Sequence, residues 1–174
     1  MVIAKIIGGI FVITSCSLAG FCIKFKTDIQ IKELNNLLSC IDIMKNEMCI
    51  ALKNVFEAIK IASDNASKIN RDFFDQILNA QNDNTDIALF KKWENALEKS
   101  NFFKQIYGNK EMEALKNFGC VLGSVNVEVQ EENFDRFKCA TQDRINELKN
   151  NSKKSSVMGN LGVYIGIIIV ILIF

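Results

Sequence analysis

The sequence predicts an all-α protein, in which a cytoplasmic helical bundle of about six helices lies between an N-terminal and a C-terminal transmembrane helix. Apolar residues recur at spacings of three and four through much of the chain, which is the repeat of one helix face. Proline is absent from the 174 residues, so the chain lacks the strongest helix breaker. Apolar segments at both ends complete the pattern and divide the chain into residues 1–23, 24–156 and 157–174.

The C-terminal segment is the most apolar part of the chain, with no charged residue from Leu161 onward. As a helix it spans about 27 Å, close to the roughly 30 Å hydrocarbon core of a bilayer. A helix also satisfies the backbone polar groups that lipid leaves without water. A buried helix of a soluble protein and a C-terminal lipid-anchor signal are the alternatives, and Gly162 and Gly166 inside the segment disfavour the anchor.

Gly162 and Gly166 also suit the packing of membrane helices. Glycines four residues apart let two helix backbones approach closely in lipid. Ser15 and Ala19 offer a matching small pair in the N-terminal segment. We therefore predict that the two segments, or two copies of the chain, pack through Gly162 and Gly166.

Residues 6–23 form the second apolar segment, which lies between Lys5 and Lys24. We interpret it as a transmembrane helix. A cleaved signal peptide would need a shorter apolar core followed by a small-residue cleavage site. A lipoprotein signal is the third possibility, because residues 13–16 resemble a lipobox, but the chain stays apolar after Cys16.

The lysines beside the two apolar segments lie mostly on their inner flanks. Positive charge is retained on the cytoplasmic side of a membrane. The domain between the segments is therefore predicted to be cytoplasmic, with both termini near the opposite face. The inner-flank lysines are Lys24, Lys26, Lys32, Lys149, Lys153 and Lys154, whereas Lys5 lies on an outer flank.

Amphipathic helices make up the domain between the segments. The strongest pattern, over residues 33–62, predicts a helix whose apolar stripe packs in the core, although its methionines would also suit a binding groove. Shorter helices are predicted over residues 71–81 and from a cap at Asn84 or Thr85 to near Ser100, and residues 102–107 form an apolar connector. The stripe of the first helix comprises Leu34, Leu37, Leu38, Ile41, Met44, Met48, Leu52, Val55, Phe56 and Ile59.

Two further helices are predicted to meet at a corner near Gly123. Asn109 can cap the first helix, and Gly123 is suited to end it, because glycine readily adopts the left-handed conformation at helix C-termini. The second helix starts near Ser124 or Asn126, and residues 151–156 join it to the membrane segment. The predicted inward face of this second helix comprises Val127, Gln130, Phe134, Phe137, Thr141, Ile145 and Leu148.

Composition argues against several functions. Of the 21 basic and 20 acidic residues, only Lys5 lies outside residues 24–156. This domain therefore has equal numbers of basic and acidic residues, and a neutral domain is a poor nucleic-acid binder. The chain has no His, which is the commonest general base and zinc ligand. Phosphate-binding loops of the G-x-x-x-x-G-K-[ST] and G-x-G-x-x-G types are absent. We therefore predict no enzyme, no catalytic residues, no cofactor and no metal.

The six cysteines contain no C-x-x-C pair. They lie in apolar or helical patterns, so we interpret them as small buried hydrophobes rather than as disulfides or metal ligands. A reducing, cytosolic compartment for the domain is consistent with this interpretation.

Several motifs point to a known family. The most specific is the run Leu-Lys-Asn-Phe-Gly-Cys-Val-Leu-Gly at residues 115–123, followed by Gln130. Others are the runs at residues 7–11 and 20–21, residues 34–47, the Val-Phe-Glu-Ala run at residues 55–58, and residues 161–173. In these motifs the chain resembles the stage III sporulation protein AB family of endospore-forming bacteria. The family-motif residues are Phe118, Gly119, Leu122, Gly123 and Gln130.

Two positions depart from the family pattern. The family often has a glycine and a proline near residues 51–54, where they break the first long helix, and this chain has neither. The break is therefore predicted to be softer or displaced. Asn126 stands where the family usually has an acidic residue.

The resemblance implies a function. The soluble domain of the family is similar to the cytoplasmic domains of inner-membrane platform proteins in type II secretion and type IV pilus systems. The chain would then be a non-enzymatic component of a channel between mother cell and forespore, in the mother-cell membrane that faces the forespore. Implied partners are a secretion-type ATPase, other stage III sporulation channel proteins and membrane lipid, and a homo-oligomer is also possible.

The partner surface is predicted near the Gly123 corner. Asn126, Glu128 and Glu132 are polar residues at the start of the last helix, where they would be exposed to a partner. A solvated helix start explains the same residues without a partner. A membrane-tethered scaffold or receptor outside sporulation, and a membrane enzyme with an unrecognised site, are the alternative functions.

Overall fold

The computed structural model describes residues 2–82, 88–122 and 126–173, and every regular element in these ranges is helical. The all-α prediction is confirmed. The elements are α1 (Val2–Lys45), a π-helical turn (Asn46–Ile50), α2 (Val55–Asp64), α3 (Lys68–Asn82), α4 (Leu89–Lys99), α5 (Asn101–Ile106), α6 (Asn109–Val121) and α7 (Val127–Ile173).

The chain folds into two compact units, to both of which α1 and α7 contribute. The core unit is Gln30–Ile145, and the terminal unit combines Met1–Ile29 with Asn146–Phe174. Searched over the described residues, no helix combines the length and the hydropathy needed to cross a bilayer. Gly162 and Gly166 belong to α7, but their surroundings lie outside the described part of the chain.

The linker predicted over residues 151–156 is wrong, because α7 continues through these residues without a break. They contain neither glycine nor proline, and lysine and serine are tolerated in helices at a cost well below about 1 kcal/mol each. Polar composition alone therefore does not end a helix here.

The predicted stripe over residues 33–62 is confirmed on both sides of a break that the apolar spacing does not show. Leu34, Met44 and Ile59 are buried. Between Ile50 and Val55 the chain leaves the helix, and Leu52 is exposed rather than inward. The other buried members of the stripe are Leu37, Leu38, Ile41 and Met48.

Backbone and side-chain hydrogen bonds form this break without a glycine or a proline. The N–H of Ala51 donates to the carbonyl of Asn46 at 3.0 Å, which closes the wider π-helical ring. Leu52 then adopts a left-handed φ of 53°. The side chain of Asn54 accepts from the N–H of Glu57 at 2.9 Å and so caps α2.

Arg71 secures the turn between α2 and α3. Its guanidinium donates to the carbonyls of Ser63, Asp64 and Ala66 at 3.1, 3.1 and 3.3 Å. Carbonyls at a helix C-terminus have no partner within the helix, and an arginine fork can satisfy several at once. One side chain therefore closes the α2–α3 hairpin.

The interior of the core unit is largely aromatic. The ring of Phe73 lies 4.9 Å from those of both Trp93 and Phe103, and Phe103 lies 4.2 Å from Tyr107. These side chains come from α3, α4, α5 and the residue that follows α5. Aromatic pairs at such distances contribute roughly 0.5–1.5 kcal/mol beyond their burial. The segment predicted as an apolar connector is thus a short helix, α5, whose end packs in the core.

Candidate functional site

The family-motif residues occupy α6 and the start of α7. Gly119 is buried against Trp93 of α4, whose indole N–H donates to the carbonyl of Leu115 at 2.9 Å. A Cβ at Gly119 would lie 2.6 Å from the same indole nitrogen. The glycine is therefore required by the close approach of a large ring to the helix backbone.

Phe118 joins three helices. Its ring lies 4.9 Å from Phe137 and 5.2 Å from Phe134, both on α7, and 5.7 Å from Trp93 on α4. The side-chain amide of Asn133 also donates to the carbonyl of Phe118 at 3.1 Å, near the end of α6. Phe118 and Gly119 therefore position α7 against α6 and α4.

The corner residues are only partly described. Leu122 and Phe134 are both buried, as expected for one core, and Gln130 is buried as well. Gly123, which was predicted to end α6, lies outside the described residues. Gly108 rather than Asn109 occupies the N-terminal cap of α6, and no side chain caps that helix.

Asn126, Glu128 and Glu132 are exposed at the start of α7. The Asn126 side chain accepts from the N–H of Glu128 at 2.8 Å, so it caps the helix. The carboxylate of Glu132 pairs with Arg136 one turn later, at 2.6 Å between exposed side chains. Val127, which was predicted to face inward, is 40 % exposed. An exposed apolar side chain therefore precedes the exposed Glu128 in the first turn of α7.

Ion pairs hold α1 against α7 along the side of this surface. Lys45 bridges Glu131 at 3.2 Å and Asp135 at 2.7 Å, and the bond with Asp135 is the main cause that raises the pKa of Lys45. Lys138 donates to both carboxylate oxygens of Asp42, at 2.8 and 2.9 Å. The two helices therefore run antiparallel within the core unit.

A polar network lies buried between α1, α3 and the end of α5. The Tyr107 hydroxyl donates to the Asn70 side-chain oxygen at 2.9 Å, and the Asn70 amide donates to the Asn36 side chain at 3.0 Å. Ser67 donates to the Asn36 side chain through its N–H at 2.7 Å and to the Glu33 carboxylate through its hydroxyl. Burial is the main cause that raises the pKa of Tyr107 well above its ordinary value. No local sequence pattern predicts this network, because its members are far apart in the chain.

A second buried charge lies between α6 and α7. The Glu111 side chain is 5 % exposed, and its carboxylate accepts from Arg144 Nε at 2.5 Å. A buried carboxylate needs a partner, since leaving it unpaired would cost several kcal/mol. This pair fixes the position of α7 relative to α6, and no local sequence pattern predicts it either.

The chemistry available at these residues is packing and ion pairing. Across the described ranges, no group of three His, Cys, Asp or Glu side chains is placed to hold a metal. A shallow groove between α4 and α6, beside the Lys116–Glu94 ion pair at 2.5 Å, has a volume of about 200 Å³. Ligand pockets are usually larger, about 300–1,000 Å³.

The described cysteines are free thiols, and their burial varies. Cys40 is buried, and this burial raises its pKa to about 11. Cys49 is half-buried, and burial raises its pKa too. Cys22 on α1, Cys120 on α6 and Cys139 on α7 are exposed, so the interpretation as small buried residues is wrong for these three.

The fold and the site together define the class of protein: it is an all-α bundle, and in the described part of the chain its polar clusters hold the helices to one another. Comparison with known protein families then gives the family. The model of stage III sporulation protein AB matches residues 5–174, so this chain belongs to the stage III sporulation protein AB family. No curated protein and no solved structure matches the chain. The resemblance seen in the sequence motifs is confirmed, and the chain is a member of a sporulation family.

Proposed function

We propose that this chain is a non-enzymatic platform component of the channel complex that joins mother cell and forespore during endospore formation. Family membership over residues 5–174 carries the proposal. The core unit supports it, because large side chains fill its interior and leave recognition to the outer helix faces. A platform protein needs such faces to bind the other components of the complex.

The proposal includes anchoring at both ends in the mother-cell membrane that faces the forespore. Support comes from the uncharged run at residues 161–173, from the apolar residues 6–23 and from the lysines on their inner flanks. Both segments belong to the terminal unit, which is consistent with packing between them, as proposed for Gly162 and Gly166. The core unit then lies in the cytoplasm.

Native cysteines provide the test of this topology. A full-length variant that keeps only Cys139, which is exposed on α7, is treated with a membrane-impermeant maleimide on intact cells. We expect labelling only after the cells are permeabilised. Efficient labelling of intact cells would place the core unit on the outer face and contradict the topology.

The proposed partners are a secretion-type ATPase, the other stage III sporulation channel proteins and membrane lipid, and self-association is compatible with the same role. The test combines co-purification of the full-length chain with the ATPase and spore counts from a deletion strain. We expect co-purification and a loss of spores. Normal sporulation of the deletion strain would overturn the channel function, whereas a sporulation defect without ATPase binding would overturn only the partner.

A further inference from the structure

Exposed apolar side chains collect at one end of the core unit. Among the described residues of this unit, the exposed large hydrophobic side chains are Ile50, Leu52, Val127 and Val129, at 75, 72, 40 and 42 % exposure. Two follow the end of α1 and two lie in the first turn of α7. Single exposed apolar residues are ordinary, but a group of them is a mark of an interaction surface.

The antiparallel register of α1 and α7 brings these four residues to the same end. Asp42 pairs with Lys138, and Lys45 pairs with Asp135 and then with Glu131. Each step toward the C-terminus of α1 is therefore a step toward the N-terminus of α7. The chain after Lys45 continues to Ile50 and Leu52, while α7 before Glu131 begins with Val127 and Val129. We call these four side chains the apolar tip.

Leu52 is held in the tip by an unfavourable backbone conformation. Its φ of 53° is unfavourable for an L-residue with a Cβ, and at 72 % exposure the side chain is too little buried to offset that strain. Strained residues of this kind concentrate at functional sites. The conformation turns a large apolar side chain outward, where it is available to a partner.

The charges around the tip select among possible occupants. Glu128 is exposed, and Glu131, Glu132 and Asp135 outnumber the cations that pair with them on these helices, Lys45 and Arg136. A second copy of the chain that docked through the same surface would place these carboxylates against each other. An anionic lipid surface would be repelled by them in the same way. A partner that carries lysine or arginine beside apolar side chains complements both features of the tip.

We propose that the apolar tip docks a protein segment that presents apolar side chains flanked by lysine or arginine. The inference deepens the proposed function and rests on it, because it assigns the surface through which the platform binds a cytoplasmic partner. Ile50, Leu52, Val127 and Val129 supply the contact area. Glu128 and Glu132 supply the preference for positive charge, which gives a role to two residues singled out from the sequence.

Two synthetic amphipathic peptides test the proposal. They share the same leucine face, and one carries lysines where the other carries glutamates. Binding is measured by fluorescence anisotropy to the full-length chain in phosphatidylcholine nanodiscs, with empty nanodiscs as the blank. We expect the lysine peptide to bind at least about tenfold more tightly than the glutamate peptide, and to weaken as salt is raised.

Variants of the full-length chain locate the binding. Leu52→Ser with Val129→Ser should weaken binding of the lysine peptide about tenfold or more, because the two changes remove two of the four apolar side chains of the tip. Cys139→Ser with Ala140→Ser, two exposed positions farther along α7, is the matched control and should change nothing. Glu128→Lys should largely abolish the preference for the lysine peptide, because it leaves three carboxylates against three cations, and it alters no apolar side chain, so the proposal stays testable if the serine variant unfolds.

Several outcomes would overturn the proposal. Equal binding of the two peptides, or binding unaffected by the serine variant and by Glu128→Lys, would show that the tip is not the docking surface. Sedimentation that shows self-association lost in the serine variant would assign the tip to a second copy. Flotation of the amphipol-solubilised chain on phosphatidylglycerol vesicles, lost in the same variant, would assign it to lipid. The peptides require no ATPase, so failure of ATPase co-purification is a separate result.

Discussion

The indole ring of Trp93 occupies the space into which a side chain on Gly119 would extend. A Cβ built on Gly119 would lie 2.3 Å from Trp93 Cδ1, well inside van der Waals contact. The indole cannot withdraw easily, because its N–H is held by the carbonyl of Leu115 and its ring packs against Phe73. The first glycine of the most specific family motif is thus explained by packing between α4 and α6.

Gly119→Ala is expected to destabilise the core unit. The added methyl group forces the indole to move, which costs about 1–3 kcal/mol, more than the roughly 1 kcal/mol that alanine gains over glycine in helix propensity. Chemical denaturation of the full-length chain measures the change. Asn117→Ala, at an exposed position of the same helix, is the control and should leave the midpoint nearly unchanged. An increase in stability for Gly119→Ala would show that the helices do not approach as closely as described.

Leu52→Gly is expected to stabilise the fold by about 0.5–1 kcal/mol. Relief of the left-handed strain stabilises the folded chain by roughly 1–2 kcal/mol. The greater conformational freedom of glycine in the unfolded chain offsets part of this gain. Leu52→Ala keeps a Cβ and is the control, with no comparable gain. The same Leu52→Gly variant should bind the lysine peptide less tightly, so stability and docking should change in opposite directions. A loss of stability on Leu52→Gly would contradict the assigned conformation.

Tyr107→Phe is expected to lower the free energy of unfolding by about 1–2 kcal/mol. The substitution removes the hydroxyl that donates to Asn70 and leaves a fully buried amide oxygen without that donor. Thermal and chemical denaturation measure the loss. Phe103→Leu, a change in the same aromatic cluster that touches no polar group, separates packing from hydrogen bonding. If Asn70→Ala abolishes the effect of Tyr107→Phe in a double-mutant cycle, the hydrogen bond is the cause; additive effects would contradict it.

Stability is expected to fall as the pH rises from about 9 to 11. Burial holds the pKa of Cys40 at about 11, above its ordinary value of 9.0, so the unfolded chain releases the thiol proton first. Stability from this group is therefore fully present below pH 9 and is lost by up to about 2–3 kcal/mol through pH 11. The raised pKa values of Tyr107 and Lys45 act in the same direction at still higher pH.

Denaturation midpoints at pH 8, 10 and 11 test this expectation. Cys40→Ser removes one titrating thiol and should reduce the pH dependence between pH 9 and 11, leaving the contribution of Cys49, whose pKa burial also raises. Cys139→Ser removes an exposed thiol and should leave the dependence as in the parent chain. Equal slopes for the two variants would mean that Cys40 does not contribute.

Much of the fold follows from local features of the sequence. Apolar spacing locates α3, α4, α6 and the parts of α1 and α7 that lie in the core unit, because helix formation depends on a repeat that neighbouring residues carry. The motif at residues 115–123 also led to the family. Apolar spacing does not reveal a helix break that contains no glycine or proline, as at Leu52. It also does not show that a helix continues through a polar run, as in residues 151–156.

The tertiary structure decided which residues act together. The buried residues Glu33 and Glu111 have Ser67 and Arg144 as partners, each more than thirty positions away, and no local pattern can join them. The apolar tip likewise depends on the register between α1 and α7, which ion pairs between distant residues set. Sequence by itself determined the all-α class, most of the helix positions and the family, because those depend on neighbouring residues; the network, the ion pairs and the tip required the chain to fold back on itself.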